Sequence, residues 1–287
     1  MLWVSLAVLI YVGALLAISW AFIHPYRLPI FLSPGALGVP QEEVEFTTDD
    51  GLTLRGWWVG KEGSNRVALL AHGFMMNRCE LTPLAATLWS WGFSCLLIDF
   101  RAHGRSAKAK CGMGWREKAD VLAAVRFIRE RVQGPRILLV GSSMGAAACA
   151  FALAQDPRIA EAVVLDSCYS RLASAVGGWW RFLGGRLLGV LLWPCVHLAG
   201  PLAGFNPLSV DVGKALGSIP PENLLFLHGT QDTLALPEEA KRNLSFCQGA
   251  EIVWLEGCGH SEGRWIRPEE YLKAIRTHLA NLRLIEP

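Results

Sequence analysis

Residues 136–151, RILLVGSSMGAAACAF, pass from a strand-like apolar run into an alanine-rich, helix-like run with almost nothing between them. The strand ends at Gly141 and the helix starts near Ser143, so the serine occupies the turn. A strand-to-helix turn this sharp needs small neighbours, because side chains at 141 or 145 would meet backbone on either side. Glycine at both positions leaves the Ser143 hydroxyl exposed, with the Met144 amide at the new helix's N-terminus aimed where an oxyanion would form. Ser142 lacks the flanking glycines and reads as a turn residue.

The same alternation runs along the chain. Short apolar strands are expected at 66–72, 94–99, 136–141, 162–166, 223–228 and 250–255, separated by helical segments. Runs buried on both faces require a parallel sheet covered by helices. Asp50-Gly51 between two β-rich runs in VEFTTDDGLTLRGWWV predicts an antiparallel hairpin with a tight turn. The expected fold class is α/β, a doubly wound, mostly parallel eight-stranded sheet with helices on both faces. The segment 115–134 reads as a helix with Ala119, Leu122, Ala123, Val125 and Ile128 inward, ended by Gly134-Pro135. Pro268 and two acids open the terminal helix.

Two stretches stand outside this pattern. Residues 1–23 carry no charged side chain and are long enough to cross a hydrocarbon core of roughly 30 Å, with Trp3, Trp20 and Tyr26 at interfacial positions. A retained transmembrane anchor is expected, and a cleaved signal peptide is the rival reading, which would make the protein secreted or periplasmic. Arg27 on the C-terminal flank puts the remaining domain in the cytoplasm by the positive-inside rule. Residues 24–43, with four prolines, read as an extended linker, and 44–287 as the globular domain. Within it, 169–215 hold Trp179, Trp180, Phe182, Leu187, Leu188, Leu191, Leu192 and Trp193 among glycines and prolines. These read as a cap of short apolar helices inserted after the sixth strand, lining a substrate site. A second membrane span is the weaker alternative, because Pro194 and Pro201 interrupt the run.

Composition narrows the chemistry. The chain is 52% hydrophobic with net charge +2. There is no P-loop, zinc-finger spacing or long basic run, so no nucleic acid is implied as a partner. Eight dispersed cysteines, several in apolar elements, read as buried thiols. Cys247, Cys258 and His260 lack the pairing of a zinc set, and neither a metal nor a cofactor is expected.

A serine hydroxyl needs a base within reach and an acid to orient that base. His260, in EGCGHSEG after the last strand, lies where an open α/β sheet puts its chemistry. His72, His103 and His228 suit turn or oxyanion-loop roles, and His24, His197 and His278 structural ones. Asp232, in FLHGTQD after the seventh strand, is the expected acid, with Asp99 and Asp166 as fallbacks.

AHGFMMN, IDFRAHGRS, VGSSMGAA, LHGTQD and GCGH, in that order over residues 44 to 284, resemble the α/β-hydrolase family, especially its membrane-anchored serine hydrolases of depalmitoylase-like and monoacylglycerol-lipase-like type. The resemblance implies an α/β-hydrolase fold, a triad of Ser143, Asp232 and His260, and a second oxyanion amide from Phe74 beside Met144. It departs at Ala102, where the family commonly has glycine, and the cap matches no motif. The expected activity is a serine hydrolase cleaving small-molecule or lipid-like esters or thioesters with apolar acyl groups. The alternatives are an aminopeptidase-like hydrolase and a non-catalytic membrane adaptor.

Overall fold

The computed structural model describes residues 1–286; Pro287, the last residue of the expected domain range, lies outside the described residues. Eight strands form one sheet: β1 (Glu42–Thr47), β2 (Thr53–Val59), β3 (Arg66–Ala71), β4 (Ser94–Asp99), β5 (Arg136–Ser142), β6 (Ala162–Asp166), β7 (Leu224–Gly229) and β8 (Glu251–Leu255), in the order β1-β2-β4-β3-β5-β6-β7-β8. The pairs β1–β2 and β2–β4 are antiparallel and every other pair is parallel. The hairpin register pairs Thr47 with Thr53, and its loop places Gly51 at φ 80°. That left-handed conformation is open to glycine without strain.

Side-chain alternation splits the core in two. Val67, Leu69 and Ala71 of β3 face one layer, which holds α3 (Lys118–Arg131) and α4 (Met144–Gln155). Ala68 and Leu70 face the other, which holds α2 (Thr82–Ser90) and the terminal helix Pro268–Asn281. The buried face of α3 differs from the expected one. Val121 and Ala124 join Ala123, Val125 and Ile128, whereas Ala119 and Leu122 are only partly covered. The cause is Asp120, which is buried so that its carboxylate can accept from the Arg101 backbone amide (2.9 Å) and side-chain Nε (2.8 Å), turning the inward face toward it.

From β3 the chain steps outward to β4 and then crosses back to β5 on the other side of β3, so strand order reverses between β3 and β5. The crevice at their carboxyl ends is where such a sheet offers a site.

Residues 169–215 lie between β6 and β7 and form α5 (Leu172–Leu192), α6 (Cys195–Ala203) and the short α7 (Val212–Leu216). The first is longer than the short helices expected, but it is broken at Gly184 and Gly185, where the backbone leaves helical angles. The axes of α5 and α6 meet at 81°. The N-terminal α1 (Leu2–Ile23) is long and apolar enough to cross a membrane. It lies against α6, burying Leu15, Ser19 and Ile23, and the Tyr11 hydroxyl donates to the Leu191 carbonyl. The eight cysteines are free thiols and all are buried.

Candidate functional site

Ser143 sits between β5 and α4 at φ 51° and ψ −109°, a strained conformation for a residue with a Cβ. Its amide donates to the Asp166 carbonyl at 2.8 Å, tying the turn to the end of β6. The flanking glycines have no room for a side chain. A Cβ at 141 would lie 2.4 Å from the Ala146 nitrogen, and one at 145 would lie 2.1 Å from the Ala71 carbonyl oxygen. The close approach of α4 to β5 at Gly141 and to β3 at Gly145 therefore requires glycine at both places.

Two further strand-end loops converge on this turn. The Ser143 Oγ is 2.8 Å from His260 Nε2, in the loop after β8, and His260 Nδ1 is 2.8 Å from Asp232 Oδ2, in the loop after β7. With the Nδ1 proton directed at the carboxylate, Nε2 is free to accept from the hydroxyl. The other Asp232 oxygen accepts from the amides of Leu234 and Ala235 at 2.9 and 2.8 Å, so the buried carboxylate is held at both ends.

The fallback acids are engaged elsewhere. Asp99 accepts from the amides of Arg78 and Arg105 at 2.9 and 2.8 Å, closing the loop after β4. Asp166 accepts from Tyr271 Oη at 3.1 Å and pairs with Arg264 at 3.2 Å. Burial raises its carboxyl above the ordinary range, against the pull of Arg264.

The remaining histidines near the site are structural and neutral. His72 donates from Nδ1 to the Gly73 carbonyl (2.7 Å) and accepts the Phe100 amide at Nε2 (3.1 Å). His103 donates from Nδ1 to the Arg101 carbonyl (2.9 Å) and accepts the Met75 amide at Nε2 (3.3 Å). Burial holds both below the usual imidazole range, His103 at about 3. His228 donates to the Ala235 carbonyl at 2.8 Å and is likewise lowered by burial. Among the described residues, neither the Phe74 nor the Met144 amide has a protein acceptor, leaving two donors beside the serine.

A cavity of about 590 Å³ opens over Ser143 and His260. Phe74, Trp179 and Phe182 line it, joined by Leu234 and by Phe31 and Leu32 of the linker. Trp180 is not part of this wall. Adjacent helical residues point about 100° apart, so Trp180 turns away from the cavity and packs, 4% exposed, against Leu15 and Phe22 of α1. Sequence reasoning also missed Ser142, Glu80 and Arg264, all of which line the cavity floor. The Ser142 hydroxyl donates to Glu80 Oε1 at 2.7 Å, and Arg264 pairs with the same carboxylate. The available signals were slight: Ser142 adjoins Ser143, and Arg264 follows His260 by four residues.

A doubly wound sheet whose strand-end turns present a serine, an imidazole and a carboxylate in contact is the α/β-hydrolase fold. The chain belongs to the alpha/beta hydrolase family, whose model matches residues 68–274. Among solved structures, the Pyrococcus furiosus esterase Pf2001 is 25% identical, with TM-score 0.72 over 91% of this chain and 98% of its own. Among curated relatives, the uncharacterized protein YfhR of Escherichia coli O157:H7 is 31% identical over 46% of this chain and 49% of its own. The polyketide transferase grgF of a Penicillium species is 33% identical over 44% and 45% respectively. These two alignments span about half the length of the curated relatives they match.

Proposed function

We propose that this protein is a serine hydrolase of carboxylic esters or thioesters with apolar acyl groups, acting through Ser143, His260 and Asp232. The observation that carries this reading is the unbroken run of 2.8 Å contacts from Ser143 Oγ through the His260 ring to Asp232, with Ser143 and His260 opening into a cavity walled by Phe31, Leu32, Phe74, Trp179 and Phe182. The Pf2001 esterase, similar over nearly its whole length, supports ester hydrolysis.

In the proposed cycle His260 Nε2 takes the Ser143 proton as Oγ attacks the acyl carbon. The oxyanion that develops accepts from the Phe74 and Met144 amides. Protonated His260 then gives its proton to the leaving alcohol or thiol, and a water deprotonated by the same ring releases the acid. Asp232 keeps the proton on Nδ1 and stabilises the imidazolium. Phe74, Trp179, Phe182, Phe31 and Leu32 receive the acyl chain. Each methylene they bury contributes about 0.8 kcal/mol.

On this reading residues 1–23 anchor the protein in a membrane, with the 24–43 linker joining them to a catalytic domain on the cytoplasmic side. Helix length, the absence of charge, and the position of Arg27 support it. The test is hydrolysis of p-nitrophenyl esters from acetyl to decanoyl. kcat/KM rising with chain length supports the assignment, and a flat or absent response contradicts it.

A further inference from the structure

A buried ionic cluster joins the loop after β3, the serine turn and the segment just beyond His260. Glu80 is 7% exposed, and its two oxygens face donors from three separate segments. Oε2 accepts the Gly73 amide at 2.6 Å, from the loop after β3. Oε1 accepts the Ser142 hydroxyl at 2.7 Å, from the residue before the serine turn, and pairs with Arg264 of the short helix Gly263–Ile266, just beyond His260. Arg264 reaches on to Asp166 at 3.2 Å. Burial opposes ionisation of Glu80, but Arg264, the Gly73 amide and the Ser142 hydroxyl more than offset it, holding its carboxyl below the usual range.

The loop after β3 has its amides sorted by these contacts. Gly73 N–H is taken by Glu80 and Met75 N–H by His103 Nε2. The Gly73 carbonyl accepts from His72 Nδ1 at 2.7 Å and from the Met76 amide at 3.2 Å. In a trans peptide the N–H points opposite to the C=O. The Phe74 amide is therefore turned away from His72, with its neighbours on both sides held back. Its orientation depends on Glu80, seven residues along the chain from Gly73.

We propose that Glu80 is a positioning residue: it sets the Phe74 oxyanion donor against the serine turn and, through Arg264, holds the His260 loop to the same point. This rests on the proposed hydrolase reading. Arg264 has a second effect, since it compensates the Glu80 charge and keeps an unpaired carboxylate away from a developing oxyanion. Glutamine at position 80 has one acceptor oxygen where glutamate has two, so one of the three ties must break.

The test compares the full-length wild type with Glu80→Gln on p-nitrophenyl butyrate, with rates normalised to active sites titrated by a fluorophosphonate. Binding of a trifluoromethyl ketone, which forms the oxyanion adduct, is measured in parallel. The expected result is a kcat at least tenfold lower, KM within twofold, and weaker ketone binding by a factor matching the loss in kcat/KM. Should Glu80→Gln fail to fold, Ser142→Ala removes one hydroxyl and leaves the charges paired; it is expected to lower kcat two- to fivefold with the same split. Normalised kcat and ketone affinity within experimental error of wild type, in either folded variant, overturn the proposal. A wild type that hydrolyses no ester overturns the hydrolase reading instead, so the two failures are distinguishable.

Discussion

The ring of Phe22, one residue before the end of α1, stacks on the ring of Phe74 with centroids 5.3 Å apart and planes 26° from parallel. The same Phe22 meets Trp179 edge-on at 6.3 Å and Trp180 at 4.6 Å. The linker continues this contact. Asn77 donates to the carbonyls of Leu28 and Pro29, and Phe31 and Leu32 reach the cavity. The N-terminal segment is thus built into the wall over Ser143, and a change in it should be felt by substrate.

Phe22→Ala removes one member of that stack. A paired aromatic contact is worth about 1 kcal/mol beyond its area. We expect KM for an octanoyl ester to rise about fivefold while kcat for an acetyl ester stays within twofold, as read from steady-state kinetics on both substrates. Equal effects on the two esters would show that Phe22 supports the fold and not the acyl wall.

Asp232→Asn leaves the amides of Leu234 and Ala235 an acceptor but removes the one that fixes the Nδ1 proton of His260. In a serine–histidine–aspartate site the equivalent loss lowers kcat by roughly 10⁴, chiefly through the wrong tautomer. A fall of that order in kcat, with little change in thermal unfolding, is expected. A variant within tenfold of wild type would mean that another group orients the imidazole.

Gly145→Ala is expected to prevent folding, or to destabilise by more than the ~1–3 kcal/mol of ordinary overpacking, because the new Cβ meets the Ala71 carbonyl, which is backbone. Gly13→Ala, on α1, meets nothing within 4 Å and serves as the control. Thermal unfolding of the two variants tests this, and an unchanged transition for Gly145→Ala would contradict the tight approach of α4 to β3.

Stability should fall in mild acid. His72, His103 and His228 are buried and held neutral, with folded pKa values below those of the unfolded chain. Below an unfolded value of about 6.5 the unfolded chain binds protons that the folded one refuses. Stability present above that pH is then lost as pH drops toward the folded values, by at most about 1.4 kcal/mol per unit for each histidine. The melting temperature is expected to decline from about pH 6.5 downward, and His103→Gln should make the decline shallower. Burial raises the Asp120 and Asp166 carboxyls and works in the opposite sense, so the contradicting result is a decline whose slope His103→Gln leaves unchanged.

Much of this architecture is legible in the sequence because it is local. A run of apolar residues marks each strand from β3 to β8, the Asp50-Gly51 turn marks the β1–β2 hairpin, and Gly141, Ser143 and Gly145 mark the serine turn, since their spacing follows from sterics between adjacent elements. Strand-end loops could be recognised one at a time, which brought Asp232 and His260 into view. What escaped was set by phase or by distance along the chain. Trp179 and Trp180 look alike in sequence, yet one helical step sends the first to the cavity and the second to α1. The Glu80–Arg264 pair joins residues 184 apart, and neither neighbourhood carries a sign of it. The linker, read as a connection, contributes Phe31 and Leu32 to the cavity because proline-rich chain lying over a crevice becomes part of its wall.

Everything proposed for the chemistry rests on Ser143 being the group that attacks. The most direct measurement is intact-protein mass after exposure to a fluorophosphonate, followed by peptide mapping, for wild type and Ser143→Ala. The account predicts one adduct per wild-type chain, carried on the peptide containing Ser143, and none on the variant. An unlabelled wild type, or an adduct that persists at another residue when Ser143 is replaced, would contradict it.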